Sequence, residues 1–175
     1  MPPDPVSGPE AALVAEACRK SAMCWLQPVG EARPRLAWHG WHDGALYVVS
    51  GGLEQDLPAM ADGVAVTVTV RSKDTGARLV TWSGTAHPVA PGTPEWEAVV
   101  PDLHALRLNP PDGEQQPARW ARESTLTRIE PTGRLQESPA RMPHRSHAAA
   151  PPSSPATTRG PLPFVLGRRA RRRSR

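Results

Sequence analysis

Between residues 64 and 71 the chain alternates: Val64, Val66, Val68 and Val70 are apolar, and Ala65, Thr67, Thr69 and Arg71 stand between them. A period of two buries one face of a strand and leaves the other to solvent. Ser72, Lys73, Asp74, Thr75 and Gly76 then form a turn-rich break, and a second strand-like run spans 78–86. The pair predicts a long antiparallel hairpin. Gly84 falls inside its second arm, where glycine marks a bulge or a close backbone approach.

The remaining pattern fills in around this hairpin. Ser7, Pro9 and Glu10 have the form of a helix start, and Leu13, Val14, Ala17 and Cys18 then line one face. Short strands are predicted at 22–27, 36–39 and 45–50, with Asp43 and Gly44 as a tight turn. A single helical turn around Pro58 is expected over 54–61. Thr93, Pro94 and Glu95 open a helix whose apolar face is Trp96, Val99, Val100, Leu103 and Leu106, with Pro101 expected to kink or split it. A helical turn at 118–122 and a last strand at 124–129, ended by Pro131 and Gly133, complete the series. The class is mainly β with flanking helices. About six strands in so short a domain lose their edges best by closing a small barrel.

Charge changes the picture of the C-terminal part. The formal net charge is +4, yet the chain to Arg134 carries 12 basic and 16 acidic residues, and the remainder nine arginines against one glutamate. The domain itself is mildly acidic, so a basic pI is no argument that it binds nucleic acid. Residues 1–8 read as a flexible leader, 9–134 as the barrel domain and 135–175 as a disordered tail rich in Pro and Arg. The arginine run at 168–175 attracts polyanions, so any nucleic-acid contact is expected from the tail and to be weak. No apolar stretch is long enough for a membrane span, and the N-terminus has no secretory pattern. Two cysteines, Cys18 and Cys24, are too few for a disulfide framework, which fits a cytoplasmic setting.

The order of elements resembles the flavin-binding split β-barrels of the pyridoxamine phosphate oxidase class. So do Gly84, Thr85 and Ala86 at the end of the hairpin, the acidic Trp helix after it, and the closing strand at 125–131. Trp38, His39, Trp41, His42, Asp43 and Gly44, followed by Leu46–Val49, are similar to an actinobacterial branch of that family, as are the runs 71–76 and 117–123. The resemblance covers residues 9 to 134. It implies a homodimer with FMN or a deazaflavin in a groove between subunits, and an oxidoreductase whose substrate the sequence does not name. The alternative is a non-enzymatic split-barrel scaffold that has lost flavin.

Carried over residue by residue, the resemblance places the cofactor against Arg35, Trp38, Val49, Ser50 and Gly51. Arg71 and Lys73 are candidates for its phosphate, one as a bidentate fork and the other as a point charge. Phosphate-binding members carry a Ser and a Lys or Arg shortly after the third strand. Here Gly51 to Asp56 holds two acids and no base, and a carboxylate there is expected to repel phosphate by about 1 kcal/mol or more. A lysine at position 54 is therefore expected to favour it. His39 and His42 point to opposite faces of a strand, which argues against shared metal ligation. No residue has the company of an acid, base or nucleophile, and none is assigned as catalytic. Trp25, Trp38, Trp82 and Trp96 are expected in the core, while Trp41 and Trp120 are the ones left to stack on a planar ligand.

Overall fold

The structure, a computed structural model, describes residues 8–139 and 141–144. Its elements lie in one compact unit, Met1–Pro143. The expected cap Ser7, nearly all of the leader and the tail beyond His144 lie outside the described residues.

Helix α1 (Pro9–Lys20) is followed by strands β1 (Met23–Pro28), β2 (Arg35–Trp38), β3 (Gly40–His42), β4 (Ala45–Ser50), β5 (Ala65–Arg71) and β6 (Arg78–Val89). Helices α2 (Pro94–Leu106) and α3 (Gln116–Glu123) and strand β7 (Thr125–Glu137) complete the fold. The seven strands form one sheet in the order β2-β1-β5-β6-β7-β4-β3, and every pairing is antiparallel. The two edge strands are consecutive in the chain, with only His39 between them. The ladder therefore returns to the segment it left. Taken as one bent strand, β2 and β3 bring the two ends of the sheet together, and the sheet curls into a half-barrel.

The predicted hairpin is β5 and β6, in register from Ala65 opposite Thr85 to Arg71 opposite Arg78. Val66, Val68 and Val70 point into the barrel and are buried with Val80, Trp82, Ala86, Cys24, Leu26, Leu46, Val48 and Ile129. Burial of the three valines alone contributes roughly 5 to 9 kcal/mol before chain entropy. Helix α1 closes one side of this core with Val14, Ala17 and Cys18. Asp43 (φ 42°) and Gly44 (φ 78°) both sit in the left-handed region, as a two-residue turn of the twist-matching kind requires.

A second core lies outside the barrel. Trp96, Val99, Val100 and Leu103 of α2 and Trp120 of α3 pack on Ala45, Tyr47, Val49, Val89 and Leu126. Strand β4 is thus buried on both faces, which explains its unbroken apolar run.

Several expectations are corrected. Residues 54–61 form no helix; their one ladder contact is a parallel bridge between Ser50 and Gln55. Helix α2 passes through Pro101 without a break, because Pro101 is exposed and the carbonyl it cannot serve is able to reach water. Strand β7 continues past Pro131 and Gly133 to Glu137. The irregularity is in β7 itself: between the pairs Gly84–Pro131 and Trp82–Leu135 the facing strand advances by two residues and β7 by four, so β7 bulges over Pro131 to Leu135. Leu135 packs on the barrel core, so the strand crosses the boundary drawn before that residue. Trp25 lies on the outer face of β1 and is 39% exposed, Leu106 is exposed, and Trp120 is fully buried.

Candidate functional site

The bent strand opens the sheet at one point. In the β3–β4 register Gly40 faces Tyr47, Trp41 faces Leu46 and His42 faces Ala45. Continued backwards, that register would put Trp38 opposite Val49. Trp38 instead belongs to β2, which pairs with β1, so β2 and β4 diverge between these two residues. The gap is filled by the side chain of Gln55. Its Oε1 accepts the Trp38 backbone N–H at 2.8 Å. Its Nε2 donates to the carbonyls of Trp38 and Val49, both at 3.0 Å. A carboxamide carries one acceptor and two donors in a plane, and here all are used.

The loop that delivers Gln55 turns back on two glycines, Gly51 (φ 83°) and Gly52 (φ 62°). This is a conformation that a side chain at either position would strain. The Gly51 N–H donates to the Gln55 carbonyl at 3.1 Å, and the Gly51 carbonyl accepts from the Glu54 N–H at 3.1 Å and from Ser124 Oγ at 3.1 Å.

Glu54 anchors the loop from the other side. Its side chain is wholly buried. Oε1 accepts from Trp120 Nε1 (3.0 Å), Arg119 Nη2 (3.0 Å) and Gln116 Nε2 (3.3 Å), and Oε2 from Arg107 Nε (3.0 Å). Burial works against ionisation, yet the indole and the two guanidinium groups outweigh it and hold the Glu54 carboxyl below the usual range. Arg119 also forks onto Asp112 at 2.7 and 3.2 Å; these bonds lower the Asp112 pKa and raise that of Arg119. Two carboxylates and two cations make the cluster neutral. The sequence reading of Glu54 as an outward charge repelling phosphate is corrected: the carboxylate faces inward and is spent on two arginines.

The ring of Trp38 lies beside this cluster. Its centroid is 6.2 Å from that of Trp120, tilted by 32°, and the Arg107 guanidinium stands 5.9 Å from it. Exposed Leu53, Leu106 and Leu108 flank Glu54 and Arg107 in the chain.

Of the residues carried over for the cofactor, Trp38, Val49, Ser50 and Gly51 meet at this seam. Arg35 opens β2 opposite Leu26, about 10 Å along the strand from Trp38. Arg71 ends β5 opposite Arg78, two strands away from Trp38, and Lys73 lies exposed in the turn that follows. The sequence reading passed over Gln55, Arg107 and Arg119. The only trace of Gln55 was its place just after Gly51 and Gly52.

The histidines and cysteines take other roles. His39 is buried at the bend, with Nε2 3.1 Å from the Cys18 carbonyl, while His42 Nδ1 lies 2.8 Å from Asp102. Among the described residues no group of three or more His, Cys, Asp or Glu is arranged to hold a metal ion. Burial pushes the Cys18 thiol up to about 12 and that of Cys24 well above its ordinary value, so neither is a ready nucleophile. Among the described residues no helix is long and apolar enough to cross a membrane.

No family model matches the chain, and no curated protein does. Solved structures similar to it include the following two. HutZ, described as the heme storage protein of Vibrio cholerae, is 15% identical with a TM-score of 0.46, over 67% of this chain and 87% of that one. Atu2129 of Agrobacterium tumefaciens str. C58, of unknown function, is 20% identical with a TM-score of 0.46, over 78% of this chain and 63% of that one.

Proposed function

We propose that the protein binds a flat cofactor, a flavin or deazaflavin, at the seam between β2 and β4, as a homodimer that serves redox chemistry. One observation carries the reading. Four of the residues that family resemblance assigns to the cofactor, drawn from two strands and the start of a loop, converge where the sheet parts. The same point holds a backbone N–H and two carbonyls, all bonded by the Gln55 side chain, beside an indole face and one partly exposed arginine. In such a protein the cofactor supplies the redox chemistry, and the chain orients it.

The homodimer rests on exposed apolar surface. Trp25 (39% exposed) and Leu36 (38%) are direct cross-strand partners on the outer face, and Leu36 is two residues from Trp38. Leu53, Leu106 and Leu108 add to the apolar surface around Arg107. Patches of this kind mark interfaces.

A second reading is a non-enzymatic scaffold. It is favoured by the neutral Glu54 cluster, which leaves little net positive charge at the seam to hold a phosphate. Titration of the purified protein with riboflavin, FMN and a deazaflavin, followed by flavin fluorescence, separates the two. The cofactor reading expects saturable binding at or below about 100 μM, near −5.5 kcal/mol. Absence of binding by all three leaves the scaffold.

A further inference from the structure

We infer that Gln55 is a built-in plug: its carboxamide occupies the hydrogen-bonding slot of a ligand that carries a carboxamide, lactam or imide edge. The inference rests on the proposed cofactor site and names the chemistry of its polar floor.

The slot is defined by three backbone groups. The Trp38 N–H donates, and the carbonyls of Trp38 and Val49 accept; all three are satisfied by one side-chain amide at 2.8 to 3.0 Å. Adjacent N–H and C=O groups on one strand residue normally pair with a neighbouring strand. Here the neighbour has parted, so the edge of Trp38 is open to whatever presents a matching acceptor and donor side by side. A planar amide does so, and so does a flavin pyrimidine edge through a ring carbonyl and the adjacent imide N–H. A carboxylate cannot, because it has no donor for the two carbonyls.

The plug can leave without unfolding its loop. Glu54 fixes the loop through four bonds to α3 and Arg107. Gln55 is only partly buried and its amide swings out by rotation about its own side-chain bonds. A flavin edge arriving in the slot replaces the two bonds to the Trp38 N–H and one carbonyl, leaves the other carbonyl to water, and gains contact with the neighbouring Trp38 ring. Binding is then weakened by the fraction of time that Gln55 stays in place.

The test compares wild type, Gln55→Ala and Gln55→Leu in titrations with riboflavin and with 3-methylriboflavin, whose imide N–H is blocked. Riboflavin carries no phosphate, so the answer does not depend on a phosphate site. Gln55→Ala should bind riboflavin at least tenfold more tightly than wild type. Gln55→Leu, which loses the same hydrogen bonds but fills the slot, should show no gain. The methylated flavin should lose most of the advantage. Equal riboflavin affinities in wild type and Gln55→Ala overturn the plug and leave the cofactor reading standing. A gain in Gln55→Leu as large as in Gln55→Ala also overturns it, since loop loosening would then be the cause. No binding by any of the three proteins overturns both. Melting curves of the two variants should coincide, and wild-type discrimination between the two flavins tests the slot if either variant fails to fold.

Discussion

Glu54 and His39 show how single side chains set the limits of this fold. Removing the Glu54 carboxylate leaves Arg119, whose side chain is 6% exposed, with one carboxylate fewer, and strips Trp120 of its acceptor. Breaking a buried charge cluster on one side costs about 3 kcal/mol, so Glu54→Ala is expected to lower the stability measured by urea unfolding by that order. Glu54→Lys should lose at least as much, and should not gain phosphate affinity. His39 is buried with only the Cys18 carbonyl to bond, and burial lowers its pKa to about 4 against an ordinary 6.5. The unfolded chain therefore takes up the proton first. The stability contributed by keeping His39 neutral is fully present above pH 6.5 and is lost progressively as the pH falls towards 4. Over that window the loss is about 3 kcal/mol. Unfolding curves at pH 7 and pH 4.5 should show a smaller difference for His39→Gln than for wild type. Neither role was legible in the sequence. A glutamate after two glycines looks solvated, and nothing in its neighbours reveals that Arg107 and Arg119, more than fifty residues on, will reach it.

At the scale of elements, the hairpin was legible because its period of two agrees with its turn chemistry. The two left-handed residues at 43 and 44 were legible for the same reason. Helix α2 declared itself through Thr93, whose Oγ1 accepts the Trp96 N–H at 3.2 Å. Elements whose local signals conflict with their setting were not legible. Pro131 and Gly133 ordinarily stop a strand, and β7 carries them in a bulge of its own before pairing again at Leu135. Gly84 faces the start of that bulge. A Cβ there would meet Ile129 Cγ2 at 2.6 Å, Trp82 Cζ3 at 2.8 Å and the Glu130 carbonyl at 3.0 Å. The last of these is backbone and cannot rotate away. Gly84→Ala is expected to cost about 1 to 3 kcal/mol, read as a lowered melting temperature. An unchanged melting temperature would show that the bulge is softer than this contact implies.

For the molecule as a whole, a small mainly β fold followed from counting strands, but the curl of the sheet into a half-barrel through a bend at His39 did not. It depends on register, and register depends on partners far apart in sequence. The site was legible in part. Trp38 and Val49 to Gly51 were in view, while the residue that joins them was not, since a glutamine in an irregular loop carries no periodic signal. Arg71 lies two strands from Trp38 and level with it across Met23, so it and Arg107 are the cations nearest to hand for a phosphate bound beside the seam. The apolar surface around Trp25 and Leu36 predicts a two-fold dimer in sedimentation at micromolar concentration, and Trp25→Lys should shift it towards monomer. A wild-type monomer would remove the intersubunit groove from the account.

On this reading the parted strands at Trp38 and Val49 form a slot for a flat ligand. The most direct measurement is the fluorescence titration of riboflavin with wild type and Gln55→Ala side by side. Saturable binding at or below about 100 μM by the wild type, and at least tenfold tighter by Gln55→Ala, is the predicted result. Failure of both proteins to bind would contradict it.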